Sequence, residues 1–515
     1  MSHKEQFKKG ATSDVGKLRG RRRKKQSEVR KQRREKVLTA KRLRHDSEMQ
    51  DVETEDEYTV EQMIQLAKDF QKPGSERQKQ LKTLRKMFAE GSDLIEAFVG
   101  VENAMDRLVG ILSGNEPELQ IEAAWCVNNM ASSAEHQHTM LALKQAAPYL
   151  ITYLSGQNAK LQDQCAWALG NLAADSAEVR DTLMSQGILP PLVKLLQSPT
   201  PRVVQSVAFA LSNLARGQGS DTRAMMDAGI AKLLIPHLKV EEDNMAVLTE
   251  VAWALTYLAA KLEHEEALVE AGIIPKLVEA LVSLSKQKPH HAQSITPLLR
   301  CLGNMCSGPD EYITMITKDS NLLPAFEVFL DSDEHRHIKK ETLWVVSNLS
   351  GVESVCQTLI DMGLPLKMIN LLHSTFDIKK EAALCLCNLA HHGEKFCEEL
   401  LKQGVFPHVV AMLKSHDPDM VIEALWFSEM LLRMTKTGCE VFQDNEGVGS
   451  LEALEYHSDS NIQQQAHELL EMYFYQEQDE TEEKDDGDEK KEFPPWRVKA
   501  QQQAPEEGSM EDAKE

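Results

Sequence analysis

A tryptophan-type residue followed four positions later by an asparagine recurs along the chain inside otherwise apolar stretches. The copies are Trp125/Asn129, Trp167/Asn171, Phe209/Asn213, Trp253/Tyr257, Arg300/Asn304, Trp344/Asn348, Leu384/Asn388 and Trp426/Met430. Residues four apart share one face of an α-helix, so each pair marks one helical face. The second members follow one another at steps of 40 to 47 residues, a period typical of two- or three-helix repeats stacked into a solenoid.

The opposite face of each such helix carries valine, leucine or methionine, as at Val127, Leu169 and Leu211. That face is predicted to form the core between neighbouring repeats. The tryptophans alone would fit a core as well, because large aromatic side chains are usually buried. The repeated asparagines favour exposure instead, since a buried amide without partners costs roughly 1 to 3 kcal/mol. The pattern therefore favours an exposed ladder of Trp and Asn whose hydrogen bonds a binding partner completes.

The connections between repeats share a glycine that is followed in most copies by a proline. They read QGILPPLVKLL, AGIAKLLIPHL, AGIIPKLVEAL, MGLPLKMINLL and QGVFPHVVAML. Glycine permits the left-handed turn that ends a helix, and proline fits the first turn of the next one. This bend is what a three-helix repeat requires, and the predicted fold is an all-α, right-handed superhelical stack of such repeats.

The sequence carries no motif typical of an enzyme. No phosphate-binding glycine loop or defensible catalytic triad is present, and we expect no catalytic residue, metal site or cofactor. Nine cysteines, an odd number scattered through helix interiors, favour a reducing compartment over a disulfide framework. The net charge of -22 argues against general nucleic-acid affinity.

The charge is distributed unevenly, and this divides the chain. Residues 1–16 are expected to be disordered, 17–45 form a basic arm, 46–75 an acidic linker with a first helix, 76–475 the repeat array, and 476–515 an acidic disordered tail. The array holds about eight to ten repeats. The arm has few apolar residues to bury, so it favours ordering on an acidic partner. A solvated tail or a nucleic-acid arm remain alternatives, although no aromatic residue interleaves to stack on bases.

The N-terminal residues lack the apolar segment of a signal peptide, and no uncharged run reaches the roughly 20 residues that span a bilayer. We therefore expect a soluble intracellular protein.

These features resemble the importin-α family, the adaptors that carry nuclear-localisation signals. The repeats with Trp and Asn on the third helix are similar to that family's armadillo repeats, and EVRKQRREKVLTAKR resembles its importin-β-binding arm. The resemblance covers about residues 17–475 and implies a protein that shuttles between cytoplasm and nucleus. Its implied partners are importin-β, cargo proteins with basic signals and a recycling exportin, without direct nucleic-acid or membrane contact.

The resemblance also implies site residues. The implied major signal-binding site comprises Trp125, Asn129, Trp167, Asn171, Asp175, Phe209, Asn213 and Trp253. The implied minor site comprises Arg300, Asn304, Trp344, Asn348, Glu381 and Asn388. Importin-β would bind Arg21, Arg22, Arg23, Arg30, Lys31, Arg33 and Arg34, and autoinhibition would use Lys41, Arg42 and Arg44.

The resemblance implies a binding mode in which asparagine amides bond the peptide backbone, slots between rings accept the aliphatic stems of Lys or Arg, and Asp175 pairs with a cargo lysine.

Phe209 and Leu384 stand where the family has tryptophan, and Ser133 stands where it has glycine. Because of these departures, two other readings remain open: an armadillo-repeat scaffold outside classical import, and an RNA-binding tail on a helical scaffold. Catenin-type arrays line the groove with Lys and Arg for acidic ligands, whereas only two cations, Arg216 and Arg300, can be placed near this ladder. Their scarcity favours basic cargo.

Overall fold

The computed structural model describes residues 42, 58–74, 76–133, 137–217, 220 and 222–475. Within these ranges the regular structure is helical, without a β-strand. The chain divides into two compact units, the first ending at Asn348 and the second beginning at Leu349. The predictions for residues 1–41, 43–57 and 476–515, which cover most of the arm, most of the linker and the tail, fall outside the described residues.

The first unit holds α-helices that alternate between one long helix and two short ones. They are α1 Val60–Phe70, α2 Arg77–Glu90, α3 Ser92–Val99, α4 Ala104–Leu112, α5 Pro117–Ser133, α6 Gln137–Lys144, α7 Ala147–Leu154, α8 Ala159–Ala173, α9 Ala177–Ser185, α10 Leu189–Leu195, α11 Pro201–Leu214, α12 Thr222–Asp227, α13 Ile230–Leu234, α14 Met245–Ala259, α15 Glu265–Glu270, α16 Ile273–Ser285, α17 Ala292–Met305, α18 Asp310–Ile316, α19 Leu322–Leu330 and α20 Arg336–Leu349. The predicted helix at Val60 to Phe70 is confirmed.

The long helices of the first unit lie side by side in chain order. Helix α5 packs on α2, α8 on α5, α11 on α8, α14 on α11 and α17 on α14. Their apolar sides meet the short helices and one another, and Val127, Leu169 and Leu211 have no exposed surface. Each repeat thus buries its apolar face only against its neighbours, as in a solenoid. The predicted core face is confirmed.

The predicted glycine connections are confirmed by backbone geometry. At the five predicted positions φ lies between 71° and 84°, the left-handed region that glycine adopts without steric cost; these are Gly187, Gly229, Gly272, Gly363 and Gly404. Proline follows in the first turn of α10. The bend between the two short helices is therefore set by local sequence.

A second glycine contact joins consecutive long helices. Gly170 of α8 lies under the Phe209 ring of α11, and a Cβ built on Gly170 would be 2.6 Å from Phe209 Cδ1. The carbonyl of Gly170 accepts a hydrogen bond from Asn213 Nδ2 at 3.1 Å. Because Gly170 has no side chain, the Phe209 ring fits against it. Its carbonyl accepts the hydrogen bond of Asn213, which belongs to the same helix as that ring.

The same arrangement recurs three repeats later. A Cβ on Gly303 of α17 would be 2.1 Å from Trp344 Cζ3. The Gly303 carbonyl accepts a hydrogen bond from Asn348 Nδ2 at 2.9 Å. In both places the asparagine fastens its helix to the preceding one.

The second unit repeats the pattern of long and short helices. They are α21 Glu353–Asp361, α22 Leu364–Leu371, α23 Phe376–Ala390, α24 Glu394–Lys402, α25 Phe406–Leu413, α26 Pro418–Met434, α27 Gly438–Asp444, α28 Gly447–Leu454 and α29 Ser460–Tyr473. The long helices α23, α26 and α29 pack in sequence. At the C-terminal end Phe442 lies between Phe406 and Phe474, with ring centroids 5.3 Å and 5.8 Å away. The helix Ser460–Tyr473 closes this end of the predicted array.

All nine cysteines fall in the described ranges and are free thiols, eight of them buried. Burial raises the pKa of Cys397 to about 12, so its thiol stays protonated at neutral pH. These thiols behave as small apolar core residues.

No single helix in the described ranges combines the length and the apolar composition that crossing a bilayer requires. Such a stretch arises only when two segments are joined, Glu242–Ala259 with Leu262–Glu270, and these meet at a bend of 110°.

We predict that Gly170→Ala destabilises the first unit by about 1 to 3 kcal/mol, because the new methyl group displaces the Phe209 ring. The free energy of unfolding is measured by urea denaturation. Gly110→Ala is the matched control: Gly110 also lies inside a helix, a Cβ there meets nothing within 4 Å, and the change should stabilise by about 0.5 to 1 kcal/mol. Equal effects of the two substitutions would contradict the glycine contact.

Candidate functional site

The aromatic residues of the ladder are almost completely covered in the full chain. The exposed fractions are 4% for Trp125, 5% for Trp167, 2% for Phe209, 7% for Trp253 and 7% for Trp344. Contrary to the prediction of an exposed ladder, these rings are covered in the full chain. Trp167 and Phe209 stack on each other and are also contacted by the arm residue Arg42. Arginine guanidiniums lie over Trp125 and Trp253 as well.

Most ladder asparagines also have partners within the protein. Besides the two bonds to glycine carbonyls, Asn129 Nδ2 donates to the Arg85 carbonyl at 2.8 Å, and Asn304 Nδ2 donates to the Thr256 carbonyl at 3.0 Å. In each case the acceptor belongs to the preceding long helix. The premise that these amides need an external partner is wrong, because an asparagine at this position closes a gap between repeats.

Asn171 also holds a residue of the basic arm. Its Nδ2 donates to Asn128 Oδ1 at 2.9 Å and to the Arg42 carbonyl at 3.2 Å, while its Oδ1 accepts from the Arg42 backbone N–H at 2.9 Å. Trp167 Nε1 donates to the same carbonyl at 2.9 Å. Both backbone hydrogen-bonding groups of Arg42 are thus satisfied by one ladder pair, Trp167 and Asn171.

The side chain of Arg42 lies between an aromatic ring and a buried carboxylate. Its guanidinium carbon is 5.2 Å from the centroid of the Phe209 ring, and its Nη1 forms an ion pair with Glu250, which is 4% exposed. A guanidinium over a ring gains cation–π attraction, and a buried carboxylate needs a cation close by. We call Phe209 and Glu250 the central seat.

A seat of the same composition lies at the N-terminal end of the ladder. Arg85 of α2 stacks on Trp125, with 3.8 Å from the guanidinium carbon to the ring centroid, and pairs with Glu122 at 3.1 Å. The Arg85 side chain is only 6% exposed. We call Trp125 and Glu122 the N-terminal seat. The protein's own α2 fills it, and the indole Nε1 of Trp125 is buried without a hydrogen-bond partner among the described residues.

A third seat lies on the other side of the central one. Arg300 of α17 is 5.4 Å from the Trp253 ring centroid and pairs with Glu341 at 2.8 Å. We call Trp253 and Glu341 the C-terminal seat. Burial lowers the pKa of the neighbouring His337, with further lowering from His335 and Arg300 that outweighs the opposing effect of Glu341.

The glutamates of the three seats share one position in the repeat. Each lies three residues before a ladder residue, and so do two further buried glutamates of the second unit; the set is Glu122, Glu250, Glu341, Glu381 and Glu423. A residue three positions before another lies one turn back on the same helical face. Only Glu381 was singled out from the sequence; the recurring position relative to the ladder is the signal that identifies the others.

The expected slot between the rings of Trp167 and Phe209 is absent. The two rings are stacked with centroids 4.3 Å apart and planes 21° from parallel. An aliphatic stem between two rings needs them about 7 Å apart, twice the usual carbon–carbon contact distance. The prediction of a stem-binding slot is therefore wrong at this pair, and the cation lies over Phe209 instead.

The remaining predicted residues are placed as follows. Asp175 is exposed just beyond the end of α8. Of the predicted minor site, Trp344 and Asn348 belong to the first unit, while Glu381 and Asn388 belong to α23 of the second. Leu384 is 5% exposed and forms part of the core of its unit. Of the autoinhibitory residues, Arg42 is described, whereas Lys41, Arg44 and the seven predicted importin-β-binding residues fall outside the described ranges.

Comparisons with known proteins agree with this architecture. The chain is 28% identical over 260 residues to importin subunit alpha-2 of Oryza sativa subsp. japonica, covering 47% of this chain and 48% of the relative. It is 29% identical over 260 residues to importin subunit alpha-9 of Arabidopsis thaliana, covering 47% and 49%. The matches thus span about half the length of these curated relatives. A crystal structure of an engineered protein from the Northeast Structural Genomics Consortium superposes with a TM-score of 0.70 at 27% identity, over 80% of this chain and 98% of that one.

The fold and the ladder define a divergent importin-α-like protein of armadillo repeats. The family model described as TMCO6 matches residues 63–475, which is most of the chain. The chain belongs to the TMCO6 family.

We predict that Arg85→Met destabilises the first unit by about 3 kcal/mol, because it removes the guanidinium beside the buried Glu122 carboxylate. Equilibrium denaturation provides the measurement. Combining it with Glu122→Gln should recover most of the loss, since no buried charge is then left facing an apolar side chain. Additive losses in the double variant would mean that the two side chains are not energetically coupled.

Proposed function

We propose that the protein is a nuclear-import adaptor. Its groove along the first unit binds extended basic segments of the nuclear-localisation type, and its N-terminal arm docks to importin-β. The groove is formed by the ladder pair Trp167/Asn171 and the central seat. In this role the protein carries cargo with basic signals from the cytoplasm to the nucleus, and an exportin returns it to the cytoplasm.

The observation that supports this proposal most strongly is the binding of Arg42. Arg42 has its backbone N–H and C=O held by Asn171 and Trp167, and its cationic side chain held by Phe209 and Glu250. The backbone contacts accept any residue, while the ring and the carboxylate select a cation. A basic segment from another protein satisfies the same groups.

Arg42 also supports a regulatory role for the arm. It is tethered to the groove that it occupies, so the arm competes with cargo at a high effective concentration. We propose that Lys41, Arg42 and Arg44 form the competing segment. Docking of importin-β on Arg21, Arg22, Arg23, Arg30, Lys31, Arg33 and Arg34 then withdraws it. Cargo binding and importin-β binding would favour each other through this competition.

One observation favours a second candidate, an armadillo scaffold that works outside classical import. The N-terminal and C-terminal seats are filled by the protein's own Arg85 and Arg300, and Trp167 is stacked closed against Phe209. Fewer seats are thus open to a long basic string. Importin-β binding separates the two candidates, because a scaffold does not require it.

We predict that full-length Arg42→Ala binds a labelled basic signal peptide at least about tenfold more tightly than the unmodified protein, because the tethered competitor is weakened. Fluorescence anisotropy titration gives the dissociation constants. In the Arg42→Ala background, Asn171→Ala should remove the gain, since it deletes the backbone contacts. Asn370→Ala, at an exposed asparagine of α22 in the second unit, is the matched control and should change nothing. Equal affinities for all four proteins would contradict the proposal.

A pulldown on immobilised importin-β tests the other half of the adaptor. Replacing Arg21, Arg22 and Arg23 together by alanine should abolish retention, because it removes a dense block of the arm's charge. Replacing Lys41, Arg42 and Arg44 together is the control with the same loss of charge and should leave retention intact. Failure of the unmodified protein to bind importin-β would exclude the adaptor and favour the scaffold.

A further inference from the structure

Among the described residues of the first unit, a guanidinium lies three times beside an aromatic ring and forms an ion pair with a buried glutamate. Two of these guanidiniums, Arg85 and Arg300, come from the long helices themselves, and the third, Arg42, comes from the arm. The central seat therefore has the chemistry of its two neighbours, but the arginine that fills it comes from the arm. It is the one of the three that a separate segment fills.

The chemistry of the seat fits arginine better than lysine. A guanidinium is planar, so one face can lie over a ring while an edge nitrogen reaches a carboxylate. An ammonium group is compact and strongly hydrated, and it cannot make both contacts in this way. In all three seats the group that lies between ring and carboxylate is a guanidinium.

The stacked rings add a second reason. Lysine recognition along such a ladder was expected to depend on slots that enclose the aliphatic stem. With Trp167 and Phe209 4.3 Å apart, that enclosure is missing beside the central seat. A lysine there would keep the charge attraction to Glu250 but lose the contact of a planar group with the ring, whereas Arg42 places its guanidinium over the Phe209 ring.

We propose that the central seat is selective for arginine over lysine, and that the groove therefore binds segments anchored by a single arginine rather than lysine-rich strings. This inference rests on the proposed function of the groove and narrows its ligand class. The arginines that fill the flanking seats in cis take the place of further basic residues in the guest.

The test uses full-length Arg42→Ala protein as receptor and a labelled peptide of residues 36–47 as probe. Three peptides are compared: the natural sequence, one with Arg42→Lys and one with Arg42→Ala. We expect the lysine peptide to bind about tenfold more weakly than the natural one, although it carries the same charge. The alanine peptide should bind more weakly still, because it offers no cation to Glu250. Equal binding of the arginine and lysine peptides would overturn the selectivity and leave the proposed function in place. Binding by none of the peptides would overturn both.

A receptor variant locates the selectivity in the seat. In the same background, Glu250→Gln should reduce the arginine-to-lysine ratio to about two or less, because both cations lose their carboxylate and only the ring contact distinguishes them. Glu265→Gln is the control: Glu265 is also a buried carboxylate, but it lies on α15, which contributes nothing to the seats. An unchanged ratio in Glu250→Gln would show that the selectivity arises elsewhere and would overturn the assignment. Circular dichroism confirms that each variant is folded.

Discussion

The arrangement of the ladder depends on one constraint: a glutamate buried at a fixed position of the repeat needs a cation within a few ångströms. Glu122 and Glu341 meet it with arginines from neighbouring long helices, which stack on the tryptophans of the ladder. Glu250 pairs with Arg42, which belongs to the arm and not to a repeat helix. The same chemistry therefore joins neighbouring repeat helices in two places and holds a residue of the arm in a third. The three seats differ in whether the guanidinium comes from a repeat helix or from the arm.

The asparagines follow a similar division. Asn213 and Asn348 donate to the carbonyl of a glycine on the preceding helix, where the absence of a side chain also makes room for Phe209 or Trp344. At Asn171 the donor is shared between Asn128 and Arg42, and the acceptor oxygen faces the Arg42 N–H. The asparagine that joins consecutive long helices at other positions thus binds, at Asn171, the backbone of an arm residue. Binding and repeat cohesion use the same side chains.

Much of the fold could be predicted from the sequence because its determinants are local. The period of the Trp/Asn pairs predicts the length of the structural repeat, and glycines such as Gly187 predict where the chain bends between helices. The interior of the site could not be predicted in the same way. Whether Phe209 stacks on Trp167 or stands apart from it depends on packing across two repeats, and whether Asn129 finds a partner depends on a carbonyl at Arg85. The glutamate register was available in the sequence, three residues before five of the eight ladder positions, but its meaning required knowing which arginine lies beside each carboxylate.

The most direct measurement of this account is the indole N–H signal of Trp167 in full-length protein labelled with ¹⁵N-tryptophan, assigned by a Trp167→Phe variant. Because Trp167 Nε1 donates to the Arg42 carbonyl, deleting residues 1–45 should shift this signal and speed its hydrogen exchange. The signal of Trp426, in the second unit, should stay in place and serves as the internal reference. A Trp167 signal that is unchanged by the deletion would show that the arm does not lie in the groove, and would contradict the central claim.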